Sequence, residues 1–149
     1  MSAHAPRWVP LWGRAFWLTL LCNAVWINAS EVFRFFAFVM PMMRDAFPQI
    51  ENVAPMNLPV FAIWAVWDTA LVFAVTGFVW ISLDRFGEGV RNAALAGACA
   101  WLGIFVILWL GLYNMNLAPA NVLAIALPLS LVELVIAGLI VNWGRGKFG

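Results

Sequence analysis

Charged residues are scarce, at 10% of the 149 residues, where an ordinary soluble domain carries about a quarter. So few charges cannot cover a water-facing surface. The balance of +1 also offers no basic face, so no nucleic-acid partner is expected. Histidine is nearly absent. The single one, His4, stands beside the N-terminus, so no apolar stretch carries an imidazole for haem or a related pigment. Only two cysteines occur, Cys22 and Cys99, in apolar runs and without CxxC or Cys/His grouping. That excludes a disulfide scaffold and argues against a zinc site or a thiol redox motif. P-loop, GxSxG and HExxH motifs are missing as well. No cofactor or metal is expected, and the sequence leans away from an enzyme.

Apolar residues make up 65% of the chain, tryptophan occurs ten times, and mean hydropathy is +0.93. Four apolar stretches account for this: residues 15–43, 58–83, 92–113 and 121–142. Each exceeds the roughly 20 residues that a spanning helix needs. Residues 44–57 contain Pro48 and Pro55, residues 84–91 contain Gly87 and Gly89, and residues 114–120 contain Pro119. These breakers end helices, and short connections make successive helices antiparallel. The expected fold is all-α: one transmembrane domain over 1–149, a four-helix bundle in a lipid bilayer. The first stretch runs too far, and lacks small residues at a cleavage site, to be a cleaved signal peptide.

Lys and Arg placement sets the orientation. Arg7, Arg14, Arg85, Arg91, Arg145 and Lys147 fall on one side and Arg44 alone on the other. By the positive-inside rule both termini face the cytoplasm. A compact chain without extramembrane domains suits a bacterial cytoplasmic (inner) membrane. Trp8, Trp12, Trp17, Trp80 and Trp143 are expected to ring the inner interface, with Trp109 and Tyr113 toward the outer one. The segment from Arg7 to Trp17 alternates basic and aromatic residues and suits the inner membrane surface.

Four ionisable residues fall inside the spans: Glu31, Arg34, Asp68 and Glu133. Each costs roughly 2.5–3.5 kcal/mol at the bilayer centre on an insertion scale. At ~1.5 Å per residue, Glu31, Arg34 and Asp68 lie ~22–28 Å from the inner ends of their spans, and Glu133 only ~13 Å. Helical spacing puts Asn23, Ile27, Ser30, Glu31, Arg34 and Pro41 on one stripe with Asn28 beside it. Trp64 shares a face with Asp68, and Ser130 with Glu133. Polar stripes turn away from lipid. The expectation is a polar core of Asn28, Glu31, Arg34 and Asp68, with Arg34 paired to Glu31 or Asp68, and Glu133 as a separate inner relay. Trp26 and Trp64 could wall a pocket, with Ser130 nearby.

Three carboxylates against one arginine leave an excess of negative charge that a proton or a cation must balance. Without histidine or thiolate, the site favours a hard cation or an amine over zinc or copper. The leading functional expectation is therefore binding or transport of a proton, a cation or an amphipathic amine. One alternative is a non-catalytic accessory or assembly subunit of a larger membrane complex, in which the charges only lock helix register. Another is an isomerase-type membrane enzyme whose acids shuttle a proton. Small residues along Ala93, Gly97 and Ala100 allow close helix approach, within the chain or at a homo-oligomer seam. Pro128 is expected to kink the fourth helix one turn before Glu133.

Overall fold

A computed structural model describes residues 10–149. His4, Arg7 and Trp8, and with them part of the expected basic-aromatic surface segment, lie outside the described residues. The chain forms four long helices, α1 (Arg14–Ala46), α2 (Leu58–Phe86), α3 (Val90–Asn114) and α4 (Ala120–Phe148), each long and apolar enough to cross a membrane. No strand occurs among the described residues.

Local chemistry sets the helix ends. The Asn57 side chain caps α2 by accepting from the Val60 amide at 3.1 Å, and Pro59 in the first turn gives up no helical hydrogen bond. Gly87 closes α2 and Gly89 precedes α3, with φ of 92° and 135°, a region that a side chain would strain. The Gly89 amide donates to Asn142 Oδ1 of α4 at 2.8 Å, which ties this turn to the bundle.

Neighbouring helices run antiparallel. Asn23 meets Thr76 while Phe35 meets Trp64, and Thr19 lies on Gly144 while Arg34 meets Glu133. α4 packs on the other three helices. Its crossing with α3 depends on missing side chains. A Cβ on Gly97 would run into the Leu134 carbonyl, and one on Gly138 into the Ala93 carbonyl. The small-residue stripe of α3 is therefore used within the chain, and backbone meets backbone there.

At the end of the bundle that carries the termini, Arg145 is buried, with 1% of its side chain exposed. It donates to Asp84 Oδ1 at 2.6 Å and to Glu88 Oε1 at 3.1 Å, and its guanidinium lies over the Trp80 ring at 4.7 Å. Two sequence expectations change here. Trp80 does not sit in an interfacial ring but is fully buried beneath Arg145, because span depth alone does not say which way a residue faces. Arg145 counted as one basic residue of the tail. In fact α4 continues through it to Phe148, and the helix turns it inward. Trp12, Trp17 and Trp143 are exposed, as interfacial residues would be.

The core is lopsided. α1 buries nothing beyond Arg34, α2 nothing before Asp68, and α3 nothing after Phe105. In these three helices burial ends at the level of the charged residues, whereas α4 buries Val122, Leu123 and Ala126 beyond it.

Candidate functional site

Both α1 and α3 change winding at this level. Phe35–Val39 in α1 and Leu102–Val106 in α3 are π-helical. A π-helical turn takes an extra residue and re-aims the side chains that follow, and such turns recur at functional sites. The first begins directly after Arg34. The second holds Phe105, whose ring lies 4.9 Å from the Arg34 guanidinium carbon. The two irregular segments therefore meet on the same guanidinium.

Arg34 is buried and bridges two helices. Its Nη1 donates to Glu133 Oε2 at 2.8 Å, and its Nη2 donates to Glu31 Oε1 one turn back on α1. The Ser30 hydroxyl donates to the same Glu133 Oε2 at 2.7 Å. Trp26 Nε1 donates to the Glu133 backbone carbonyl at 2.9 Å. Glu133 is thus held from α1 by three successive polar faces of one stripe: Trp26, Ser30 and Arg34. The carboxylates of Glu31 and Glu133 are held by the two arms of one guanidinium. On the far side of Glu133, Ser130 is buried, and with the Leu127 carbonyl it accepts from Trp101 Nε1 at 3.1 and 2.9 Å. Pro128 lies within this stretch, inside a helix that continues on both sides of it.

Three buried oxygens have no hydrogen-bond partner among the described residues: Asp68 Oδ1, Glu133 Oε1 and Asn23 Oδ1. All three are acceptors. Buried polar atoms normally find partners, so the site is short of donors. Asn23 lies deeper in the bundle, where its Nδ2 donates to Thr76 Oγ1 at 3.1 Å. Asp68 is 3% exposed and close enough to Glu31 and Arg34 to interact with their charges. No three His, Cys, Asp or Glu side chains of the described residues group closely enough to hold a metal ion.

Two expectations, those for Glu133 and Asn28, need correction. Glu133 is not a separate inner relay but the interhelical partner of Arg34. The fourth apolar stretch of the sequence ends at Asn142, whereas α4 runs on to Phe148. Six residues of helix raise Glu133 by about 9 Å. Of the two partners expected for Arg34, it pairs with Glu31 and not with Asp68, and the other arm of its guanidinium goes to Glu133. Asn28 is exposed, and its Nδ2 donates to the Ala24 carbonyl at 2.8 Å on its own helix. It flanks the stripe too far round to enter the core, and this local hydrogen bond spares its amide the full cost of an apolar environment. The role of Trp26 as an anchor for the Glu133 backbone could not be read from the sequence, because a single helix pattern does not show which neighbour an indole reaches. Trp64 stands one turn from Asp68, with its ring 5.1 Å from that of Phe35 and 6.4 Å from that of Phe36. No family model matches the chain, and neither a curated protein nor a solved structure matches it.

Proposed function

We propose that the chain is an integral protein of a bacterial cytoplasmic membrane, with both termini inside, and that it binds a proton in the cluster of Glu31, Arg34, Asp68 and Glu133. One observation carries this reading: buried carboxylate oxygens of Asp68 and Glu133 lack any donor, in a cluster where a single guanidinium faces three acids. A proton supplies both the missing donor and the missing positive charge. Placed on Glu31 or Glu133, it removes one excess charge from the pair that Arg34 holds. Placed on Asp68, it removes the second excess charge.

The two sides of the cluster are unequally packed. Ile27, Val72, Val75, Leu134 and Ala137 are buried around the axis below the cluster, and Arg145 with Asp84 and Glu88 caps that end. Exchange toward the side of residues 47–57 meets buried residues of α4 alone among the four helices, Val122, Leu123 and Ala126. The isomerase reading fits less well, because Arg34 fills the space between Glu31 and Glu133 that a substrate would need.

Infrared spectroscopy of the protein in lipid tests the proton. A stretch from a protonated carboxyl is expected in the parent protein, altered in Glu133→Gln and again in Asp68→Asn. Without any such band the cluster is an ion-pair lock, and the accessory-subunit reading takes its place. Orientation is tested separately by cysteine labelling of intact cells on a cysteine-free background. Position 51 should label and position 147 should not; the reverse pattern contradicts the basic-residue bias.

A further inference from the structure

Asp68 is the acid that Arg34 leaves alone. Its Oδ1 is buried without a partner, and none of the described hydrogen bonds or ion pairs reaches the side chain. Elsewhere in the cluster the donors serve other groups: Arg34 Nη1 and Nη2 go to Glu133 and Glu31, Ser30 to Glu133, Trp26 to a backbone carbonyl. None of these contacts supplies a donor to Asp68, so its Oδ1 stands open to a donor brought by a ligand. The next residue on its face toward residues 47–57 is aromatic. Trp64 stands on the same face one turn away, and its ring meets Phe35 and Phe36. These rings sit on the stretches of α1 and α2 that bury no residue.

We propose that Asp68, with Phe35, Phe36 and Trp64, forms a binding site for a protonated amine carrying an apolar or aromatic body. The ammonium N–H donates to Asp68 in a charge-assisted hydrogen bond. The body lies against the rings, where aromatic faces also attract the cation. An inorganic ion is a poorer match. Hard cations take several oxygen ligands, and no three acidic side chains converge here. A quaternary ammonium is a poorer match too, because it has no N–H for an oxygen that lacks a donor.

The charged groups around the site agree with this choice. α1 presents Glu31 and Arg34, α4 presents Glu133, and α3 presents the uncharged Phe105. Once Asp68 gives up its proton, the single charge of Arg34 no longer balances the acids, and the excess negative charge holds the incoming cation. The exchange balances: the amine arrives protonated, Asp68 gives its proton to water, and the ammonium takes the position of that proton. The proposal rests on the proton-binding reading only for this displaced proton.

The test uses the full chain in detergent with two probes, 2-phenylethylammonium and its N,N,N-trimethyl analogue. They share body and charge, so they partition similarly into micelles. Saturable binding of the first is expected, with one proton released per ligand to an indicator dye. The second should bind at least about tenfold more weakly, since the loss of one charge-assisted hydrogen bond is worth that much. Asp68→Asn should lower affinity for the first probe by about tenfold or more, and Trp64→Leu by a smaller factor. Because Trp64 is only partly buried, Trp64→Leu keeps the test available should Asp68→Asn fail to fold. Equal binding of the two probes, or binding unchanged by both substitutions, overturns the proposal. A protonated-carboxyl band with no amine binding also overturns it while leaving the proton reading intact. Asp68-dependent binding without proton release or a carboxyl band supports the site and removes the proton reading instead.

Discussion

Arg34→Ala is expected to cost the fold about 3–5 kcal/mol, the range for removing one partner of a buried ion pair. The substitution leaves Glu31 and Glu133 buried with no cation, and their side chains are only 7% and 0% exposed. It also removes the guanidinium from the Phe105 ring, where it joins α1 to α3. In detergent the apparent Tm should fall by on the order of 10 °C. Arg34→Lys should recover little, because one ammonium cannot reproduce the fork that reaches both carboxylates. Neutralising the acids should recover more: Arg34→Met combined with Glu31→Gln and Glu133→Gln should melt well above Arg34→Ala. A single mutant as stable as the parent would mean that the pair is solvated and the cluster open to water.

Close helix approach gives the second large effect. Gly97→Ala is expected to destabilise by roughly 2–3 kcal/mol, at the upper end for overpacking. The added methyl meets the Leu134 carbonyl, a backbone atom that cannot rotate away as a side-chain tip can. Gly138→Ala should behave alike, because it presses on the Ala93 carbonyl from the other helix. Gly77 supplies the contrast. A Cβ there meets nothing within 4 Å, so Gly77→Ala should be neutral or gain up to about 1 kcal/mol from helix propensity. Thermal unfolding of the three variants side by side checks the pattern. If Gly97→Ala melts with the parent, α3 and α4 are not in backbone contact.

What the sequence made legible follows from the physics of each signal. Apolar run length counts residues, so four helices and their order could be read directly. Helical spacing placed Glu31 and Arg34 on one stripe, and small residues marked the face of α3 that approaches α4. Three things stayed hidden. The end of α4 was misread because Asn142, Gly144, Arg145, Gly146 and Lys147 look like a polar exit, whereas the helix continues and turns Arg145 onto Trp80, Asp84 and Glu88. That misreading displaced Glu133 and concealed its pairing with Arg34. The π-helical turns left no sequence signal, since Phe35–Val39 and Leu102–Val106 contain no proline and are apolar like their surroundings. Yet they re-aim Phe35 and place Phe105 under Arg34. The direction of Asp68 was legible from its face. Its lack of a partner was not, because that depends on where Arg34 spends its donors.

The account turns on Arg34 holding Glu133 across two helices while Asp68 stays unpaired. Magic-angle-spinning NMR in lipid bilayers measures this directly, from the transfer between guanidinium nitrogen and carboxyl carbon with labelled arginine, glutamate and aspartate. Strong short-range transfer from Arg34 is expected to a glutamate carboxyl signal that vanishes in Glu133→Gln, with no comparable transfer to Asp68. Strong transfer to Asp68, or none to Glu133, would contradict it.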